Sequence, residues 1–424
     1  METFDYGIIG GGPAGYSTAL YAAEIGKSVV LFEKDEVGGT CLNRGCIPTK
    51  ILLHISHLYH QMKTVEKFGL SAENVSFDYE KVCEHKDKTI QKLRKSLELA
   101  MKQAKINIVK NEAKIVDNNI IECSGVQYKC ENVVFATGSK PRQLKGLEYD
   151  HDFILSSDDI LELRKLPQKI VIVGSGAIGV EFARLMSDFG VEVALVEIAD
   201  TLLPLADWEV FKRIERQFKM KKIKYYTSTS ISEVDKTTKT ITLSNDEKIT
   251  TDCILVSAGR EAGANNCHSE LVSESNQKSQ IQIIGDASAE IQLAHYAVSQ
   301  AKKLVFDINF NKDLIPSVVY GSPEIAWVGK VFKNIEDEKD YKKIVFPISA
   351  LGKAHADDSI DGFIKIVAKE DYIVGASIVS NEASALIQQI TIAIQNNITL
   401  DKLKEVCFPH PTYSEGVMEG LMKL

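Results

Sequence analysis

Two glycine patterns, one near the N-terminus and one about 160 residues later, do most to limit what this chain can fold into. The first stands in "YGIIGGGPAGYSTALYAAEIGKSVVLFEKD", where Gly10, Gly12 and Gly15 form Gly-x-Gly-x-x-Gly. Tyr6 to Ile9 reads as a buried strand and Ala14 to Ile25 carries a helical apolar pattern. Ser28 to Phe32 reads as a second strand, closed by Glu33. In such a βαβ unit the first glycine allows a tight turn and the second lets the backbone approach a pyrophosphate. The third lets helix and strand pack closely. The helix N-terminus faces the phosphates, and the terminal acid accepts hydrogen bonds from a ribose. "KIVIVGSGAIGVEFARLMSDFGVEVALVEIAD" repeats every part, with Gly174, Gly176, Gly179 and Glu197, and each acid follows its first glycine by 23 residues. A bare glycine pattern is often only a loose turn. Strand, helix, strand and acid together, twice, predict two dinucleotide-binding folds and two dinucleotides that meet. Neither acid is followed by an arginine. A carboxylate suits a free ribose 2′-hydroxyl and repels a 2′-phosphate, so the nicotinamide cofactor is expected to be NAD rather than NADP.

The 424 residues exceed one ordinary core, so several domains are expected. Residues 53–105 read as long polar helices, 106–135 as strands ending in "NVVFATGS", and 222–258 as short strands ending in "CILVSAGR". From about residue 314 the texture changes to strands at "SVVY" and "GFIKIVAK", then a helix from Glu382 to Asn396. The last 110 residues form a separate α+β domain on this reading. A net charge of -8 argues against a general nucleic-acid binder. No apolar run reaches the ~18 residues of a membrane helix. The chain enters its first strand without a basic or apolar leader, and eight cysteines are too few for a disulfide scaffold. Both features point to a reducing, cytoplasmic setting.

Two of those cysteines nevertheless sit together, in "GGTCLNRGCIPTK". Pro48 fits the first turn of a helix, which puts Cys46 near that helix's N-terminus, where the dipole favours a thiolate. Gly45 frees the short connection to bring the sulfurs of Cys41 and Cys46 into bonding range. Two inert thiols or half a zinc site are the rival readings, and no further Cys/His ligands lie nearby for zinc. A redox-active disulfide is the expectation.

"TCLNRGCIPTK", "VVFATGSKPR", "GSGAIGVEFA", "IGDAS", "YGSPEIAWVG" and "FPHPTYSE" follow one another in this order. With them the chain resembles, over nearly its whole length, the pyridine nucleotide–disulfide oxidoreductases, and among these the dihydrolipoyl dehydrogenases. The resemblance implies an α/β fold with two Rossmann-like domains, for FAD and NAD, and a C-terminal α+β dimerisation domain. It divides the chain into 1–147 (FAD domain, first part), 148–258 (NAD domain), 259–313 (FAD/central domain, second part) and 314–424 (dimerisation). It implies that Cys46 faces the flavin and Cys41 exchanges with the substrate. Lys50 lies near the flavin N5 and Glu181 pairs with it. Asp286 hydrogen-bonds the ribityl chain, Ala136 to Ser139 (with Thr137 and Gly138) and Ala113 contact FAD, and Gly259 lies on the NAD side. His410 is implied as the base, oriented by Glu415 and reaching the disulfide of the other subunit of a homodimer. The residues alone leave rivals here: Thr412-x-x-Glu415 is also a capping box with Glu at N3, and His410 between two prolines fits a rigid turn. Pro411 is a candidate cis-proline. His54, His57 and His60, spaced by three, read as a solvated or half-packed helix face rather than a metal stripe.

The implied partners are a second copy of the chain and a lipoyl-bearing acyltransferase or carrier protein of a 2-oxoacid dehydrogenase or glycine-cleavage complex, with no nucleic acid, membrane or metal. The chain departs from the family between "SAGR" and "IGDAS", where "EAGANNCHSELVSESNQKSQIQI" is short and polar and lacks Pro-Asn. It reads as a replaced surface loop with Cys267 an exposed thiol, ahead of a surviving strand "IQII". A flavin disulfide reductase with another substrate, and a non-catalytic FAD-binding paralogue, are the alternative functions.

Overall fold

A computed structural model describes residues 1–263, 281–333 and 339–424. The apolar run before Gly10 becomes β1 (Glu2–Ile9), and it begins four residues before the expected Tyr6. The extension pairs with the first half of a long neighbour, β6 (Val126–Phe135), through Glu2↔Tyr128 and Phe4↔Cys130. β2 (Val29–Phe32), β3 (Asn107–Val109), β4 (Ala113–Asp117) and β5 (Ile120–Cys123) complete the order β3-β2-β1-β6-β5-β4. The expected strand "IQII" is β17 (Ile281–Ile283), which pairs in parallel with the second half of β6. β1 and β2 are apolar and buried through their inner residues, as parallel strands covered on both faces must be. The helix α1 (Pro13–Glu24) packs on β1 with Pro13 in its first turn.

The second fingerprint folds in the same way. β8 (Ile154–Leu155), β9 (Lys169–Val173), β10 (Glu192–Val196), β11 (Lys224–Tyr226) and β15 (Cys253–Val256) form a parallel sheet in the order β11-β10-β9-β15-β8. Where the chain crosses between the two sheets, β7 (Ser139–Pro141) pairs antiparallel with β16 (Arg260–Ala262). So the first residues of the atypical segment, Glu261 and Ala262, belong to a strand. Residues 264–280, with Cys267, lie outside the described residues. The C-terminal strands β18 (Ser317–Val319), β19 (Glu324–Gly329), β20 (Lys342–Pro347), β21 (Phe363–Lys369) and β22 (Tyr372–Ser380) form one antiparallel sheet, covered by the helix Ala383–Gln395.

The helices α2 (Gly39–Arg44), α3 (Cys46–Met62) and α4 (Tyr79–Gln103) correct the expectation of long polar helices over 53–105. Residues 63–78 are not α-helical and hold Gly69 at φ 75. α3 is not polar inward: Leu52 and Leu53 enter the same apolar core as α6 (Ala177–Asp188) and as Val319 and Phe363 of the C-terminal sheet. One core therefore joins all three units around α3 and α6.

Candidate functional site

Cys41 lies within α2 and Cys46 is the first residue of α3. A helix between the two cysteines was not legible from spacing. Gly45 stands at φ -149 and ψ -108. It is needed for close approach, since a Cβ there would lie 2.9 Å from Thr40 O. Both cysteines are half-buried free thiols, with the Cys41 S–H donated to Cys46. That hydrogen bond is the main reason the Cys46 thiol is held down, to about 7. Lys50 and the backbone N–H of Cys46 add to it, against burial and the Glu181 charge. Donating the bond, together with burial, pushes the Cys41 thiol up. The helix N-terminus and the nearby ammonium put the negative charge on Cys46.

Lys50 sits one turn into α3, and its Nζ reaches both oxygens of Glu181 at 3.0 and 2.9 Å. Glu181, on α6, is buried. Its Oε1 also accepts the Tyr320 backbone N–H at 2.9 Å, and the Lys50 ammonium stands 4.4 Å from the centre of the Tyr320 ring. Tyr320 thus completes a cluster drawn from all three units. The sequence reading had not singled it out.

The two glycine turns serve close approach. A Cβ on Gly15 would lie 1.8 Å from Gly10 O, and one on Gly179 would lie 1.9 Å from Gly174 O. Gly10 and Gly174 stand at φ 104 and 96. Gly12 and Gly176 cap α1 and α6 with no side-chain hydrogen bond and no acid in the first turn, so both helix N-termini keep free donors. Glu33 and Glu197 each brace their own turn. Glu33 Oε2 accepts Gly11 N–H at 2.6 Å, and Glu197 Oε2 accepts Ser175 N–H at 2.6 Å. A carboxylate has about four acceptor positions, which leaves capacity for a ribose.

Thr137 and Gly138 lead from β6 into Ser139, at the start of β7. Ser139 Oγ donates to Asp286 Oδ2 at 2.6 Å and accepts from Arg260 Nε at 2.7 Å. Arg260 Nη2 also holds Ser139 O at 2.8 Å. Arg260 follows Gly259, itself at φ 98, and sequence reasoning missed it. The "SAGR" string was its only signal. Ala113 opens β4, half-buried.

At the C-terminus the His410–Pro411 bond is cis. His410 Nδ1 meets Glu415 Oε1 at 2.8 Å, and this bond is the main cause that lowers the Glu415 carboxyl below its usual value. The capping-box expectation is half met. Thr412 N–H donates to Glu415 Oε2 at 2.8 Å, but Thr412 Oγ1 donates to Pro409 O. The helix starts at Glu415 itself, after Ser414 as N-cap, so the acid is not at N3. The His410 side chain is 76% exposed. His57 and His60 are pushed down by burial, and no cluster fit to hold a metal occurs among the described residues.

The family model described as pyridine nucleotide-disulphide oxidoreductase matches residues 4–301, and that of its dimerisation domain matches 315–420. The chain is similar to a dihydrolipoyl dehydrogenase of Chlamydia pneumoniae, 34% identical over 99% of this chain and 97% of the relative. One of Bacillus subtilis is 33% identical over the same shares. The crystal structure of LpdA from Mycobacterium tuberculosis shares the fold, with a TM-score of 0.91 at 21% identity over 100% of this chain and 99% of that one.

Proposed function

The chain belongs to the pyridine nucleotide–disulphide oxidoreductases, and we propose that within that family it oxidises dihydrolipoyl groups and reduces NAD. The observation that carries this reading is the Cys41–Cys46 pair, with Cys46 at a helix N-terminus beside Lys50, held between two nucleotide cradles. FAD fits the first cradle, held by Gly10, Gly12, Gly15 and Glu33, with Ala113, Thr137, Gly138, Ser139 and Asp286 along its length and Lys50 at its flavin. NAD fits Gly174, Gly176, Gly179, Glu197 and Gly259. The uncapped helix N-termini and the glycines that admit no Cβ suit pyrophosphates. Bound there, FAD would supply the two-electron chemistry that links the cysteine dithiol to NAD.

The chain's own groups do the thiol chemistry. His410 of the partner subunit takes the proton of one dihydrolipoyl thiol, whose sulfur attacks Cys41 and breaks the Cys41–Cys46 disulfide. Cys46 leaves as the thiolate that Lys50 and the helix N-terminus favour. The second substrate thiol then attacks the first. The cyclic disulfide closes, and Cys41 leaves with the second proton, matching its raised affinity for one. Two electrons have entered the cysteine pair and one lipoyl disulfide has formed. Glu415 orients the imidazole and stabilises its charged form. The exposed His410 requires a homodimer for this step, and the electron donor is a lipoyl-bearing acyltransferase or carrier protein in the cytoplasm. The test is NAD reduction by dihydrolipoamide with the parent and Cys46→Ser. Turnover in the parent alone supports the reading. A yellow parent that turns over other disulfides but not this dithiol refutes the substrate.

A further inference from the structure

Arg184 is fully buried on α6, one turn beyond Glu181, and among the described residues no carboxylate hydrogen-bonds it. An arginine is rarely buried without such a partner, and here backbone carbonyls take its place. Nη1 donates to Pro323 O at 3.2 Å and reaches Tyr320 O at 3.5 Å, while Nη2 donates to Gln217 Oε1 at 2.6 Å. Gly321 lies directly beneath: a Cβ there would stand 2.8 Å from Nη1. Burial pushes the guanidinium down to about 10, so it stays charged at neutral pH. The turn it grips, Tyr320–Pro323, is the one whose amide bonds Glu181 and whose ring faces Lys50.

We propose that Arg184 is a positioning residue for the redox centre: its guanidinium clamps the Tyr320–Pro323 turn to α6, so that the Tyr320 amide stays on Glu181 and the Tyr320 ring stays on Lys50. The effect on the cysteine follows from charge. Glu181 disfavours the Cys46 thiolate and Lys50 favours it. The Tyr320 amide takes up part of the Glu181 charge, which leaves more of the Lys50 charge to Cys46. Releasing the turn bares Glu181 and draws Lys50 towards it. The ionisable groups that feel Cys46 are Cys41, Lys50, Glu181, Tyr16 and Tyr320; Arg184 reaches this set through the turn and through its charge on Glu181, and Gln217→Met below, which keeps that charge, isolates the turn. The inference rests on the reading of Cys46 as the working thiolate.

The test reads that thiolate directly. In the reduced FAD-loaded dimer, with Cys41→Ser keeping a hydroxyl donor, iodoacetamide alkylation of the Cys46 peptide is followed by mass spectrometry across pH. Arg184→Met raises the midpoint by about one pH unit, since about one hydrogen bond's worth of charge compensation is lost. Gln217→Met, which frees Nη2 alone, raises it by about half as much, and Arg184→Lys falls between parent and Arg184→Met. If Arg184→Met does not fold, Gln217→Met decides. A parent midpoint near 7 with folded variants within about 0.2 of it overturns the inference alone. A parent with no midpoint below about 8 overturns the thiolate reading and the inference with it.

Discussion

Replacing the two members of the Lys50–Glu181 pair should shift Cys46 in opposite directions, although either change breaks the same ion pair. Lys50→Met removes a charge that favours the thiolate and leaves Glu181 with the Tyr320 amide and the more distant Arg184 charge. Glu181→Gln removes a charge that disfavours the thiolate and leaves Lys50 free to serve it. We expect the Cys46 midpoint to rise by about one pH unit in the first variant and to fall by about half a unit in the second. Stability ranks them differently. A buried carboxylate stripped of its cation costs about 3–5 kcal/mol, but the Lys50 side chain is 32% exposed, so water reaches the pair and about 2 kcal/mol is the better figure. Glu181→Gln keeps an acceptor for the Tyr320 amide and costs about 1 kcal/mol. The assay is alkylation of Cys46 against pH in the reduced dimer, with thermal unfolding to rank the variants. Shifts of the same sign would refute the argument, because a general loosening of the site moves both variants alike while a charge effect cannot.

His410→Gln should cut turnover with dihydrolipoamide by about 10²–10⁴-fold while the Cys46 midpoint stays below about 8, since the Cys41 donor and the Lys50 charge that favour the thiolate are untouched. Steady-state rates and the alkylation profile check the two halves. On the proposed NAD site, Glu197→Gln removes the negative charge assigned to the ribose but keeps an acceptor for Ser175, so the preference for NAD over NADP should narrow by about tenfold in kcat/KM. Gly15→Ala places a Cβ 1.8 Å from backbone oxygen, an overlap worth more than about 3 kcal/mol, and flavin absorbance should vanish from the purified protein.

What could be read in the sequence was what local sterics and spacing dictate. Gly15 and Gly179 are forced by the oxygens of Gly10 and Gly174 five residues earlier, and Gly10 and Gly174 by their own positive φ, so the pattern carries the two cradles unaided. The beginning of β1 at Glu2 was hidden because it depends on pairing with Tyr128, far along the chain. The polar look of residues 53–105 reflects the outward faces of α3 and α4, while Leu52 and Leu53 turn into a core supplied by other units. Arg260 grips Ser139 across 121 positions, and Tyr320 meets Glu181 across 139. Neither contact leaves a local pattern, and a lone arginine or tyrosine at a strand end reads as surface until its partner is seen.

These long-range contacts bear on the proposed reaction, because in it the base comes from another subunit. The place of His410 relative to Cys41 is then set by how the C-terminal sheet sits on the nucleotide-binding units. Two charge clusters, the second of them around a fully buried pair, fix that seat. One is Lys50, Glu181, Tyr320 and Arg184. In the other, Lys365 of β21 lies against Asp207 at 3.5 Å and Glu209 at 3.0 Å, and Asp207 also accepts from Ser377 of β22 and from Phe332 N–H. Both run between the NAD-binding unit and the C-terminal sheet. Apolar packing alone tolerates small sliding, since it is non-directional. A buried ammonium between two carboxylates does not, because a displaced charge is left without compensation. The arrangement trades stability for position: a hydrophobic patch of the same size holds the domains as firmly, but it does not fix where a partner's imidazole arrives.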